Sequence, residues 1–291
     1  MKVLAKVCLL SMLLSVLACG DSGNNDPGGG TQEPGIAIPT GGATSPTSYD
    51  GMTMIWEDDF SGATLNSSNW SHETGTGTNG WGNNELQYYQ SQNTTMQDGH
   101  LIITAKEESV GGSNYTSSRI ISQNKFDFTY GRVDIRASLP EGQGMWPALW
   151  MLGSNFNSVG WPACGEIDIM EKVGGAGKEN VIHGTAHWQD PAANNAINHA
   201  EFGGEVNLST NTTNQFHVYS IEWTENKIVW FVDGSQYHVI NTSPADLSEF
   251  RRSFFFIFNV AVGGNWPGSP NASTSFPQHM IVDYIRVFQQ D

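Results

Sequence analysis

From residue 49 to the C-terminus, apolar positions recur in short runs with a period of two, and rarely with the period of a helix. Residues 132–139 (RVDIRASL) alternate polar and apolar side chains, the pattern of a strand with one face on a core and one in water. Residues 227–240 predict a hairpin, in which IVWFV is followed by Asp233-Gly234 and then YHVI. The run at 254–262 (FFFIFNVAV) is apolar almost throughout and predicts a strand covered on both faces. Shorter strand-like runs lie at 101–105 and 279–289. Only 245–250 predicts a helical turn, with Ser243 as its cap ahead of Pro244. Many short strands joined by glycine-rich connections predict an all-β sandwich. A jelly roll is the preferred version, although this pattern alone does not separate it from an immunoglobulin-like one.

The N-terminal sixth is different. Lys2 and Lys6 precede an apolar stretch at 7–18, which is short for a membrane span and predicts a signal peptide over 1–18. Val16-Leu17-Ala18-Cys19-Gly20 resembles a bacterial lipobox, so Cys19 is the expected lipidated first residue of the mature chain. Gly20 rather than Asp after that cysteine favours the outer membrane. Residues 19–48 are rich in Gly, Pro, Ser, Thr and Asn and predict the lipidated cysteine and a flexible linker. Residues 49–291 are expected to form one domain. With Cys8 in the signal and Cys19 lipidated, Cys164 is left alone, which excludes a disulfide framework and a cysteine metal cluster.

The formal charge of −16 opposes binding to phosphate backbones, so no nucleic-acid partner is expected. A neutral ligand meets no such barrier. Ten tryptophans in 291 residues provide flat apolar surfaces of the kind that sugar rings stack on. The eight histidines offer no evident metal set. His183 and His187 lie four apart in strand-like sequence, without the helical HExxH pattern that would support zinc.

The most informative stretch is 161–171, WPACGEIDIME. Glu166 and Asp168 share a face by strand alternation. Ile169 and Met170 are consecutive apolar residues, the mark of a bulge, and one extra residue there returns Glu171 to the same face. Three neighbouring carboxylates disfavour one another's ionisation, so one should keep its proton near neutral pH. Glycosidic bond cleavage needs that division between one ionised carboxylate and one acid.

These residues resemble the signature strand of glycoside hydrolase family 16, in its bulged, laminarinase-like form. Further stretches are similar to the same subgroup in the same order, among them GWGNNELQYY, DGHLIITA, GQGMWPALWML, HGTAHW, NVAVGGNWPG and VDYIRV, together spanning about 52–289. The resemblance implies a jelly roll with a concave substrate cleft. It implies Glu166 as nucleophile, Glu171 as general acid/base and Asp168 as the residue that tunes the pair. It also implies sugar-binding roles for Asn84, Arg119, Trp146, Trp150, Trp161, His187, Asn265 and Trp266. Glu85 is read equally as a loop-fixing partner, and His187 as a neutral imidazole beside the acid/base. No cofactor is expected for catalysis. A structural calcium is implied at Asp283, with backbone oxygens at Asp58 (or Glu57) and Gly99, where hard oxygen donors suit that ion.

The expected partner is a β-glucan, cut internally at β-1,3 bonds with retention by an otherwise monomeric, lipid-anchored enzyme. Mixed-linkage β-1,3/1,4-glucan is the nearest alternative substrate. A non-catalytic glycan-binding lipoprotein is the alternative from another class; it would keep the tryptophans and lose a catalytic acid.

Overall fold

The computed structural model describes residues 35–193 and 195–291. The expected signal peptide, Cys19 and the linker up to residue 34 lie outside the described residues.

The protein is a β-jelly-roll sandwich of two antiparallel-rich sheets. The seven-stranded sheet runs in the order His199–Asn207, Val181–Gln189, Glu166–Glu171, Met145–Gly153, Phe254–Val262, Arg119–Ile121 and Ser71–Glu73. The facing ten-stranded sheet is built around Gly131–Ser138, His217–Trp223 and Gln278–Gln290. Their inner faces meet in one core, where Leu149, Met151, Ile167 and Ile169 pack with Val133, Ile135, Ile221 and Trp230.

Phe254–Val262 is buried at every position, as its composition predicts. Phe254, Phe256 and Phe258 enter the main core, whereas Phe255 and Ile257 pack on the other face with Leu152, Cys164 and Trp150. The predicted hairpin forms from Lys227–Val232 and Ser235–Asn241, with Asp233 at φ 52° and Gly234 at φ 76° in its turn. The helical turn at Ala245–Arg251 starts from Pro244 without a side-chain cap. Ser243 does not cap it, because its hydroxyl bonds Asn226 Oδ1 at 3.2 Å.

Two expectations are corrected on the outer face of the larger sheet. Gly131–Ser138 is not half in water, since its polar residues are covered as well. Asp134 has no exposed surface, and its carboxylate accepts bonds from Arg132 Nε (2.9 Å), Tyr49 Oη (2.7 Å) and Ser220 Oγ (2.7 Å). Part of the cover is the second half of the expected linker. Ile36 and Ile38 pack on Ile102, Phe216 and Ile281, and Ala43 N donates to Phe216 O at 2.9 Å. Two isoleucines and a few backbone partners are enough to lay this polar segment on the domain, so the boundary falls near residue 36 rather than 49.

Candidate active site

The strand Glu166–Glu171 loses register with both neighbours immediately after Asp168. The extra residue falls at Ile169–Met170, where two consecutive apolar residues predict it. Ile167, Ile169 and Met170 all enter the core. Glu166 and Glu171 line one cavity, and Asp168 lies between them, within hydrogen-bond reach of His187. The Asp168 carbonyl at the bulge accepts a bond from Trp230 Nε1 of the facing sheet at 2.7 Å, which ties the distortion to the core. Gly165 feeds the strand at φ +80°, and a Cβ there would come within 2.9 Å of the Phe254 ring. Only glycine suits that approach.

The two glutamates have unequal surroundings. Burial and the Asp168 charge push Glu166 up, to about 8, against the pull of the His187 and Arg119 charges and a hydrogen bond from Trp161. Burial, followed by Asp168, pushes Glu171 well above the ordinary carboxylate range; its main relief is the Trp146 indole, whose Nε1 donates to Glu171 Oε1 at 2.9 Å. Glu166 has two cations in its surroundings and Glu171 one. The last proton therefore rests on Glu171 while Glu166 ionises first.

His187 occupies a different place from the one predicted. Its Nε2 donates to Asp168 Oδ2 at 2.9 Å and lies 3.6 Å from Glu166 Oε1, on the Glu166 side rather than beside Glu171. Nor is it neutral. Burial opposes its charge, but hydrogen bonds to Asp168 and Glu201 and the charges of Asp168 and Glu166 prevail and push it up to about 11.

The cavity above these groups has a volume of about 690 Å³, with Trp146, Trp161 and Trp266 in its walls. Trp161 and Trp266 are 38% and 40% exposed, which leaves ring faces free for a sugar. Trp266 stands edge-on to Trp146, with ring centres 5.5 Å apart. Gly263, at φ +69° with the Leu86 side chain 2.5 Å from where a Cβ would be, lets this loop fold over the 83–86 segment.

The remaining predicted residues fall beside the cavity. Asn84 Nδ2 donates to Asn265 Oδ1 at 2.9 Å, so the two join their loops at its mouth. Arg119 pairs with Glu73 at 2.5 Å and lies between the Trp81 and Trp150 rings, at 4.6 and 4.9 Å. Trp150 is half-buried opposite Asp168, and its Nε1 donates to Asn259 Oδ1 at 2.8 Å. Glu85 fixes its loop, accepting bonds from Asn83, Gln87 and Tyr89. Sequence reasoning missed His183, Thr185, His199, Glu201 and Glu205, all of which line the cavity. The period-two pattern puts His183 and Thr185 on the face of His187, and Glu201 and Glu205 on that of His199. Among the described residues, His187, His199 and Glu201 also come together as possible metal donors, a grouping that the spacing along the chain did not suggest.

Of the expected calcium donors, the Asp283 side chain is already engaged by a protein cation. Asp283 Oδ2 accepts from Arg136 Nη1 at 2.6 Å, and Oδ1 lies 3.5 Å from His100 Nε2. Gly99 serves the tight turn before His100–Val110 at φ +75°.

Comparison with known proteins agrees with this geometry. Residues 81–286 match the glycosyl hydrolases family 16. The chain is 42% identical to a beta-glucanase of Rhodothermus marinus over 250 residues, covering 81% of this chain and 85% of that protein. It is 39% identical to glucan endo-1,3-beta-glucosidase A1 of Niallia circulans over 269 residues, covering 82% of this chain but only 38% of that longer protein. Among solved structures, the laminarinase catalytic domain of Thermotoga maritima MSB8 superposes with a TM-score of 0.77 at 41% identity, covering 83% of this chain and all of that one. With its sandwich fold, its bulged carboxylate strand and this extent of similarity, the chain belongs to glycosyl hydrolase family 16.

Proposed function

We propose that the protein is a retaining endo-1,3-β-glucanase acting on laminarin-type β-glucan. The observation that carries this reading is the bulge at Ile169–Met170, which brings two glutamates with unequal surroundings to one cavity. Ionised Glu166 attacks the anomeric carbon while Glu171 gives its proton to the departing glucosyl oxygen. The Trp146 N–H then steadies the new Glu171 carboxylate. In the second half, Glu171 takes a proton from water, the hydroxide adds to the anomeric carbon, and the bond to Glu166 breaks. Asp168, held by His187, keeps negative charge between the two and favours the proton on Glu171. No cofactor enters this chemistry.

Similarity to proteins named beta-glucanase, endo-1,3-beta-glucosidase and laminarinase supports the β-1,3 preference. Product analysis on laminarin, barley glucan and agarose tests it. Short laminari-oligosaccharides released early from laminarin, with slower attack on barley glucan and none on agarose, are the expected result. Faster cleavage of barley glucan would assign a mixed-linkage enzyme, and binding without cleavage on all three would assign a glycan-binding protein. We also propose, from residues 1–20, that a lipid on Cys19 holds the domain, itself a monomer, at the bacterial outer membrane. Incorporation of labelled palmitate that is lost in Cys19→Ala is the expected outcome.

A further inference from the structure

One wall of the cavity holds a second cluster, apart from the three catalytic acids. His187 Nδ1 lies 2.8 Å from His199 Nε2 and 3.4 Å from Glu201 Oε2, and those last two atoms are 3.6 Å apart. Ligand atoms around a tetrahedral zinc at ~2.0–2.1 Å lie roughly 3.3 Å from one another. The three atoms thus already outline one face of such a shell, and its fourth corner opens into the cavity.

The strand pairing fixes this arrangement. His187 stands opposite Glu201, and His199 lies two residues before Glu201 on the same face of the edge strand. His187 also carries the outer partner typical of metal-bound imidazoles, because its Nε2 donates to Asp168 Oδ2 at 2.9 Å and so aims Nδ1 at the other two donors. Two imidazoles and one carboxylate suit zinc or copper(II) and suit calcium or magnesium poorly.

We propose that His187, His199 and Glu201 bind one zinc-class transition-metal ion, and that its binding inhibits the enzyme. Coordination at Nδ1 sends the proton shared by the two rings to solvent and leaves Nε2–H on Asp168. Inhibition follows from position. The ion sits on the wall beside Trp161, whose ring centre is 4.6 Å from that of His199, and its ligand His187 lies 3.6 Å from the Glu166 carboxylate. There it takes sugar space and draws charge from the nucleophile. The inhibition, though not the binding, rests on the hydrolase reading above.

The test has two arms. Zinc chloride titrated calorimetrically into metal-free protein should bind at one ion per chain, and neither magnesium nor calcium chloride should compete for that site. His199→Gln and Glu201→Gln should each weaken binding by about tenfold or more. Glu201 lies on an edge strand with its side chain 60% exposed, so its variant should fold, and circular dichroism checks both. In the second arm, saturating zinc should slow laminarin hydrolysis by about tenfold or more, and the ratio of rates with and without zinc should return toward one in both variants. No binding, or equal binding in parent and variants, overturns the site. Binding lost in the variants without slowed hydrolysis overturns the inhibition alone. A protein inert on every glucan would fail the hydrolase reading, while the calorimetric arm would still decide the metal site.

Discussion

Asp134 on the larger sheet and the Glu166–Glu171 pair on the smaller one are all acids on strand faces turned away from the core, in opposite surroundings. Asp134 has no exposed surface, yet a guanidinium and two hydroxyls meet its carboxylate. Glu171 has one indole N–H, and Glu166 shares His187 with Asp168. A buried acid with a full set of donors holds structure together. A buried acid with too few is raised in pKa and becomes able to hold and release a proton near neutral pH. The same residue type on the same kind of element is structural in one place and chemical in the other, and the count of donors decides which.

Paired substitutions test this contrast at its largest. Asp134→Ala leaves Arg132 buried and should lower stability by about 3–5 kcal/mol, seen in denaturant melts, while kcat/KM on laminarin persists wherever the protein remains folded. Glu166→Ala should do the reverse, lowering the rate by about 10⁴-fold or more with the melting curve unchanged or shifted upward. A stability loss at Glu166 matching that at Asp134 would erase the distinction.

The pH profile sharpens it. The proposed mechanism needs Glu166 ionised and Glu171 protonated, and both are raised, Glu166 to about 8 and Glu171 well above its ordinary range. In metal-free buffer, kcat/KM should rise with pH as Glu166 ionises and fall only where Glu171 loses its proton. Both limbs should therefore lie above the usual carboxylate range. Trp146→Phe removes the donor that favours ionised Glu171, so the alkaline limb should move up by about 1 pH unit. An unmoved limb would separate Trp146 from the titration.

The smallest effect concerns stability. Glu171 is raised in the folded state, so below its unfolded pKa both states are protonated and nothing is lost. As pH climbs from there toward the folded pKa, the unfolded chain ionises first and folding weakens. Glu171→Gln should raise the melting temperature at pH 7, by about 2–4 °C per kcal/mol relieved, and should leave it unchanged at pH 4. An equal gain at both values would point to packing instead.

Much of the site was legible in the sequence because it depends on one strand. Ile169 followed by Met170 marks the bulge, and the bulge alone puts Glu171 back on the face of Glu166. His187 was legible as a cleft residue, but neither its side of the carboxylate pair nor its charge was, since both depend on Asp168 and Glu201 from two other strands. His199 and Glu201 alternate in HAEFGGEVN as a strand face should, but nothing local says that this face looks into the cleft; the pairing with Val181–Gln189 decides that. The segment at 36–48 has linker composition, and its docking rests on Ile36 and Ile38 finding Ile102, Phe216 and Ile281 far along the chain.

The central claim is the assignment of nucleophile to Glu166 and proton donor to Glu171, and azide rescue reads both by stereochemistry. With an activated β-glucoside, azide should restore turnover to Glu166→Ala and give the α-glucosyl azide, because azide then replaces the nucleophile in a single displacement. In Glu171→Ala it should give the β-glucosyl azide, formed by attack on the intermediate held by Glu166. Those two products, identified by NMR, are the predicted result. The β-azide from Glu166→Ala, or the α-azide from Glu171→Ala, would contradict the account.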